Sequence, residues 1–209
     1  MSKRGTLVVV SGFSGAGKGT LMNKLIAEHD NYALSISATT RSPRDGEVDG
    51  REYFFKTEEV FEKLIKDDAL IEYAKYVSHY YGTPLEYVER KLDEGKDVIL
   101  EIEIQGAIKI KEKFPDTLML FVVPPSIKEL EKRLVTRGTE SEEVINSRIE
   151  RAIEETKGMS SYDYILVNDD IEVCVKEMHR IIQGDKDSVK DNKELIKGIQ
   201  EELISHIGK

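Results

Sequence analysis

The chain has 209 residues, of which 39% are apolar and 34% are charged, and its formal net charge is −9 at pH 7. This length and apolar content are enough to bury a hydrophobic core, so we expect one domain spanning residues 1–209. The negative net charge argues against a general nucleic-acid-binding protein, because nucleic-acid backbones attract basic surfaces. No apolar run is long enough to span a membrane, and the N-terminal run stops at Ser11, short of a signal-peptide core.

The single cysteine, Cys174, cannot form an internal disulfide. It lies in an apolar rhythm with Ile171, Val173 and Val175, which predicts a buried structural thiol. The sequence therefore favours a reducing compartment, and we expect the protein to be cytoplasmic.

Predicted strands and helices alternate along the chain. Helical patterns run from Lys18 to Glu28 and from about Ile171 to Ile182, and Asn168-Asp169-Asp170 offers caps for the latter. This alternation predicts an α/β fold whose parallel sheet is flanked by helices. The four predicted core strands run from Thr6 to Val10, Val98 to Ile104, Leu118 to Val123 and Tyr164 to Val167.

Three segments depart from this alternation. Residues 37–94 are rich in tyrosine and arginine and predict an inserted α+β subdomain. Residues 137–158 begin with a polar stretch around Gly138 that joins two helices, which indicates a short mobile lid. Residues 184–209 are highly charged but keep apolar residues at helical spacing, which predicts an amphipathic helix for packing or dimerisation. The remaining core covers residues 4–36, 95–136 and 159–183.

A glycine-rich run lies between the first predicted strand and the first helix. In this context the backbone N–H groups of such a loop can bind phosphates, and Lys18 can neutralise the β- and γ-phosphates of a nucleotide. The alternative is a loop that only turns the chain, and the lysine argues against it. Gly19 replaces the usual Ser or Thr, so a hydroxyl near a metal ion would come from Thr20, through water. We expect the ATP-binding residues to be Gly12, Phe13, Ser14, Gly15, Ala16, Gly17, Lys18, Gly19 and Thr20.

The segment from Ser35 to Tyr53, SISATTRSPRDGEVDGREY, resembles the nucleoside-monophosphate-binding signature of guanylate kinases. The resemblance extends from about Arg4 to Gln183. It implies a P-loop NTPase fold and transfer of the γ-phosphoryl group of ATP to GMP, and to dGMP, with Mg²⁺ accompanying ATP. It also implies a role in purine nucleotide metabolism.

Two arginines, Arg41 and Arg44, stand three residues apart across a proline turn. Their planar guanidinium groups can converge on one phosphate dianion with bidentate contacts. The resemblance implies that they hold the GMP phosphate together with the hydroxyls of Tyr53 and Tyr81. Packing in an aromatic core is the alternative role for Tyr53.

Guanine presents two adjacent hydrogen-bond donors, which the two oxygens of one carboxylate can accept in parallel. The resemblance places Glu72 in this role. Adenine has an acceptor at the position of the first donor, so such a site should reject AMP by orders of magnitude. The resemblance implies further GMP-binding positions at Ser37, Glu47, Thr83 and Glu103.

Glu101 and Glu103 stand two residues apart near the end of a predicted strand, so we expect them to project from the same face. Guanylate kinases usually carry aspartates at both positions. The resemblance implies that Glu101 lies near magnesium, through water, and that Glu103 lies near guanine. A surface ion pair is the alternative role for Glu101.

Phosphoryl transfer depends on positioning and on cations that stabilise the spreading negative charge. The resemblance implies that Arg133, Arg137 and Arg148 reach the phosphates when the lid closes. Together with Lys18 and Arg41 they form the predicted catalytic set. Ion pairing on a helix surface is the alternative, strongest for Arg133. The resemblance also places Asn168 near the adenine of ATP, although a helix cap explains it equally well.

Three other protein classes share part of this pattern. Adenylate or thymidylate kinases would share the loop but not the pattern of Glu72 and paired arginines. A guanylate-kinase-like scaffold module would bind phosphorylated peptides without catalysis, and a signalling GTPase would need a guanine motif that the segment after Val167 lacks. We expect ATP and GMP as the ligands, no nucleic-acid or membrane partner, and a monomer or homodimer.

Overall fold

The computed structural model describes residues 3–76, 78–136, 142–184 and 192–207. The strands are β1 (Leu7–Gly12), β2 (Tyr32–Leu34), β3 (Ala38–Thr39), β4 (Phe54–Phe55), β5 (Leu70–Tyr76), β6 (His79–Pro84), β7 (Asp97–Glu101), β8 (Leu118–Val123) and β9 (Tyr164–Val167). The helices are α1 (Lys18–Glu28), α2 (Glu58–Lys66), α3 (Leu85–Asp93), α4 (Ile104–Lys113), α5 (Ile127–Thr136), α6 (Glu142–Thr156), α7 (Ile171–Ile182) and α8 (Asn192–Ile207).

The main sheet has five parallel strands in the order β2-β7-β1-β8-β9. Its central strands are apolar without interruption because helices cover both faces, and Val8, Val9 and Val10 are fully buried. The predicted α/β fold with a parallel sheet is therefore confirmed. The short strand β2 was not predicted, since its three residues carry too little periodic signal.

One predicted strand is too long. The prediction ran from Val98 to Ile104, but β7 ends at Glu101 and α4 begins at Ile104, with extended Glu103 as its N-cap residue. The apolar residues Ile102 and Ile104 continue the strand pattern in sequence, although they pack at the start of a helix. The expectation that Glu101 and Glu103 share one face of a strand is therefore wrong.

A second, smaller sheet is formed by the order β4-β3-β6-β5. Its strands lie between residues 38 and 84, and it has a small core of its own made of Ala38, Phe61 and Leu70. Helix α3 follows this sheet, but its buried Val88 and Leu92 pack into the core of the main sheet.

Local sequence signals set the helix ends. Helix α1 begins directly after Gly17, whose φ of 90° lies in the left-handed region that glycine tolerates. Helix α7 begins after Asp170, whose carboxylate accepts hydrogen bonds from the backbone N–H groups of Glu172 and Val173. The predicted bounds of both helices and the cap at the start of α7 are confirmed.

The C-terminal segment folds back on the core. The predicted amphipathic helix is α8, and Leu203 on it is fully buried. Cys174 is also buried, as predicted, and burial raises the pKa of its thiol to about 12. Within the described ranges, no helix has the length and apolar content needed to cross a bilayer.

Candidate active site

The glycine-rich loop between β1 and α1, residues 12–20, is called the P-loop below. Phe13 anchors it, because its buried ring meets Phe121 of β8 edge to face at a centroid distance of 5.3 Å. Glycine is required at position 17 because the backbone there is left-handed and because the side chain of Asn168 lies close by. A Cβ atom there would lie 2.5 Å from Nδ2 of Asn168.

Lys18 turns its side chain back into the P-loop. Its Nζ donates hydrogen bonds to the carbonyl oxygens of Gly12 at 2.8 Å and Phe13 at 3.2 Å, and lies 3.9 Å from Oε1 of Glu101. The loop therefore holds an ammonium group at the open end of a helix whose N-terminal dipole already favours anions. This geometry suits the binding of a phosphate group.

A cavity of about 570 Å³ opens beside the P-loop, within the size range of small-molecule sites. Three cationic and three acidic side chains face it, so the lining is mixed in charge rather than basic throughout. The lining residues are Ser11, Gly12, Ser14, Lys18, Glu101, Ile102, Glu103, Ile104, Ser147, Arg148, Arg151 and Glu155.

Two of these lining residues, Arg151 and Glu155, were missed by the sequence reasoning. They stand three and seven residues after Arg148 on α6, so all three share one helix face. That spacing was the available signal. Nε of Arg151 is 3.3 Å from Oε1 of Glu155, and its Nη2 is 2.5 Å from Oε1 of Glu103.

The carboxyl group of Glu155 is largely enclosed. Burial raises its pKa, against the opposing effect of Arg151 and Lys18. Its Oε2 atom is buried and makes no hydrogen bond to any described residue. Glu103, in contrast, is exposed and forms an ion pair with the guanidinium of Arg151.

Two of the predicted catalytic arginines contact the loop or its neighbours. Arg148 donates from Nη1 to the hydroxyl of Ser14 in the P-loop. Arg133 donates from Nη2 to the backbone oxygen of Asn168 at 3.0 Å and from Nε to Oε1 of Glu129 at 3.0 Å. Arg133 thus forms the helix-surface ion pair that was its alternative role. It also bonds to the segment after β9. Arg137 lies outside the described residues.

Asn168 is buried and touches the loop directly. Its Nδ2 donates to the carbonyl oxygen of Ala16 at 2.7 Å, so it braces the P-loop at the residue before Gly17. Asp170, rather than Asn168, caps α7 through its side chain. Thr20 is exposed in the first turn of α1.

A second polar cluster lies on and near the smaller sheet. Nη2 of Arg41 is 2.9 Å from Oε1 of Glu47, whose Oε2 accepts the backbone N–H of Arg44 at 2.7 Å. Glu47 thereby fixes the turn that carries both arginines. The guanidinium of Arg41 also lies over the ring of Tyr53, 5.3 Å from its centroid.

The rings of Tyr53 and Tyr81 meet edge to face, with centroids 6.0 Å apart. A hydrogen bond between the side chains of Arg41 and Tyr81 contributes to the raised pKa of the arginine, after the larger effect of Glu47. The structure therefore brings together the side chains of three residues expected at one phosphate, Arg41, Tyr53 and Tyr81, and ties the backbone of a fourth, Arg44, to the same cluster through Glu47.

Glu72 is a mostly buried carboxylate on β5. Oγ1 of Thr83, on the neighbouring strand β6, donates to its Oε1 at 2.8 Å. Burial raises the pKa of Glu72, and the bond from Thr83 partly offsets this. Ser37 precedes β3, where its backbone oxygen accepts from Phe54. The side chain and the backbone of Thr83 thus both hold the carboxylate of Glu72.

The described residues form no cluster of three or more side chains suited to holding a metal ion by themselves. Glu101 offers a half-exposed carboxylate at the carboxyl end of β7, beside the ammonium of Lys18. Magnesium keeps several waters and is commonly bound by one or two carboxylates together with substrate phosphates. An oxygen donor of this kind therefore fits a magnesium ion that enters with a nucleotide.

The loop between the first strand and first helix of a parallel sheet, with its lysine and braced glycines, defines a P-loop nucleotide-binding protein. The cluster around Arg41 on the separate, smaller sheet could hold a second anion, and a kinase for a small phosphorylated acceptor needs such a second site.

Comparison with known proteins identifies the family. The sequence model described as guanylate kinase matches residues 4–185. A guanylate kinase of Caldanaerobacter subterraneus subsp. tengcongensis is 52% identical over 204 residues, covering 98% of this chain and 99% of that protein. A guanylate kinase of Lactococcus lactis is also 52% identical, over 88% and 90% of the two chains. The crystal structure of guanylate kinase from Anaplasma phagocytophilum matches with a TM-score of 0.66 and 31% identity over 88% of each chain. This chain belongs to the guanylate kinase family.

Proposed function

We propose that the protein catalyses transfer of the γ-phosphoryl group of ATP to GMP, giving ADP and GDP, and serves purine nucleotide metabolism in the cytoplasm. The observation that carries the proposal is the buried carboxylate of Glu72, bonded to Thr83 on the same small sheet as the Arg41 and Tyr81 cluster. The carboxylate of Glu72 suits an acceptor nucleotide whose base has two adjacent hydrogen-bond donors.

The donor nucleotide binds along the P-loop. Residues 12–20 surround its β- and γ-phosphates with backbone N–H groups, and Lys18 leaves the carbonyl oxygens of Gly12 and Phe13 to bind phosphate oxygens. Asn168 braces the loop through Ala16 and borders the adenine site.

The acceptor binds on residues 37–94, the proposed insertion. Arg41 and Arg44 hold the phosphate of GMP, with Glu47 fixing their turn. The hydroxyls of Tyr53 and Tyr81 complete that site.

The base of GMP is read separately from its phosphate. Glu72 accepts from two donors of guanine, and Ser37, Thr83 and Glu103 supply further contacts at the base. A carboxylate at this place leaves AMP with unpaired groups, which is a large penalty in a buried site.

Transfer itself needs cations around the moving phosphoryl group. Lys18 and Arg148 line the cavity where the donor ends, and Arg41 approaches from the acceptor side. Arg133 and Arg137 join them when the proposed lid, residues 137–158, closes over the nucleotides. Water is thereby excluded, which strengthens each ion–phosphate contact.

Magnesium accompanies ATP in this proposal. Glu101 and Thr20 would hold it through water, as the exposed oxygens of both residues allow. When bound, the ion neutralises charge on the phosphates.

The test is coupled measurement of ADP production from MgATP, with GMP, dGMP, AMP, CMP and TMP offered in turn. Turnover with GMP and dGMP, at least about a hundredfold above AMP, supports the proposal. Equal turnover with AMP or TMP would assign the protein to another kinase class. No turnover with any acceptor, combined with GMP binding in a calorimeter, would favour a non-catalytic binding module.

A further inference from the structure

Helix α8 lies beyond residues 4–185, which the family model matches, and yet it packs against the main core. Leu203 is fully buried, and Ile196 and Ile199 pack against the main core. Among the elements it contacts are α5 and α6, which carry Arg133 and Arg148 respectively. Helix α8 is therefore part of the packing around the proposed catalytic arginines.

Glu202 on α8 caps one of these helices. Its Oε1 accepts a hydrogen bond from the backbone N–H of Ile127, the first residue of α5, at 2.9 Å. The adjacent hydroxyl of Ser126 accepts the N–H of Glu129 at 3.1 Å. The first N–H groups of a helix have no partner within it, and a carboxylate there also complements the positive end of the helix dipole. One local and one distant side chain thus fix this end of α5.

Helix α5 contacts the P-loop in two ways. Leu130 and Leu134 pack so closely over Gly15 that a Cβ there would lie 3.2 Å and 2.9 Å from their methyl carbons. Arg133 bonds to the backbone oxygen of Asn168, whose side chain in turn bonds to Ala16. Close packing transmits displacements along a helix, so a shift at the N-terminus of α5 would change both contacts.

We propose that Glu202 is a positioning residue for the donor-phosphate site, acting through α5 on the P-loop. The hydrogen bond of Glu202 is made to α5 and not to the P-loop, so its effect passes through the packing of α5. The acceptor cluster lies on the smaller sheet, and the effect therefore falls on ATP rather than on GMP. The kinetic part of this inference rests on the proposed function.

The experiment compares Glu202→Ala with a neighbouring control, Glu201→Ala. The side chain of Glu201 is 68% exposed and pairs with Lys197 on the same helix. KM and kcat are measured with ATP and GMP varied in turn, and the Kd of a fluorescent ATP analogue is measured by titration.

We expect Glu202→Ala to raise the KM for ATP and the Kd of the analogue about fivefold, the size of a lost helix cap, with the KM for GMP unchanged. Glu202→Gln keeps an oxygen acceptor and should recover most of the affinity, while Glu201→Ala should match the wild type. Ser126→Ala weakens the same helix end locally and should reproduce the effect, which also covers the case in which Glu202→Ala fails to fold.

A lowered Tm with unchanged ATP parameters in both Glu202→Ala and Ser126→Ala would overturn the proposal. So would equal changes in the KM values for ATP and GMP. If the wild type shows no kinase activity, the proposed function fails, but the analogue titration still decides whether Glu202 positions the donor site.

Discussion

Lys18 is the residue whose loss should affect phosphoryl transfer most directly. Its ammonium lies inside the P-loop and donates hydrogen bonds to the carbonyl oxygens of Gly12 and Phe13. We expect Lys18→Ala to lower kcat by at least about a hundredfold, because it removes a cation from the transferring phosphoryl group. The circular dichroism spectrum should stay close to that of the wild type.

The matched control is Lys24→Ala on the same helix. Lys24 pairs with Glu28 and Glu172 at the surface, away from the cavity. Its replacement should leave kcat within about twofold of the wild type. Comparable activity in the Lys18 variant would contradict the proposed roles of the loop.

Glu72 should make GMP binding depend on pH. Burial raises its pKa above the ordinary value of 4.5. The ionised form accepts two hydrogen bonds from guanine, and protonation removes one acceptor. We therefore expect the KM for GMP to rise as the pH falls toward and below that raised pKa, with the KM for ATP changing less.

Glu72→Gln provides the comparison, since an amide has one acceptor and does not titrate in this range. The variant should have a higher KM for GMP at neutral pH and a flatter pH profile. A steep profile that survives in Glu72→Gln would assign the titration to another group. The folded state binds the Glu72 proton more tightly than the unfolded chain, so this group makes folding less favourable as pH rises through the same window.

At the scale of elements, the cap of α7 offers a test of stability without chemistry. The carboxylate of Asp170 accepts two backbone N–H groups at the start of that helix. Asp170→Ala should lower the free energy of unfolding by about 1 kcal/mol, the usual cost of losing such a cap. Chemical denaturation of the wild type and variant measures this difference.

Asp170→Asn is the control for that prediction, because asparagine caps helices about as well as aspartate. It should stay close to the wild type in stability. A loss as large as that of Asp170→Ala would indicate that the charge of Asp170, rather than its hydrogen bonds, stabilises this helix end.

At the scale of the whole molecule, a histidine pair joins α1 to α7. The rings of His29 and His179 stack in parallel with centroids 3.8 Å apart, and the Tyr32 hydroxyl is 2.7 Å from Nδ1 of His179. Gln183 donates to the same hydroxyl, which can in turn donate its own proton to Nδ1 of a neutral imidazole. Burial, followed by the charge of His29, lowers the pKa of His179, while Asp97 opposes this shift.

The sign of the pH effect follows from that lowered pKa. Below the ordinary value of 6.5 the unfolded chain binds the proton of His179 more readily than the folded protein does. Stability should therefore be complete above that pH and decline as the pH falls through the lowered pKa. Measuring Tm between pH 5 and 8 tests this decline in stability. The Tm of His179→Gln should fall less over that range than the Tm of the wild type.

Much of the fold was accessible from short-range patterns. The apolar runs of β8 and β9 and the bounds of α1 and α7 were predicted, because each element carries its own periodicity and cap signals. The end of β7 was misjudged, since Ile102 and Ile104 continue the apolar run beyond Glu101. Strand β2 is too short to carry a signal of its own.

The glycine-rich loop and, through the likeness to guanylate kinases, the family could be predicted, because both depend on residue types at fixed spacings along the chain. Contacts between distant groups could not. Asn168 braces Ala16, Arg151 bridges Glu103 and Glu155, and Glu202 caps α5. Such contacts join residues far apart in the chain, and only the packing of helices on the sheet brings them within hydrogen-bond distance.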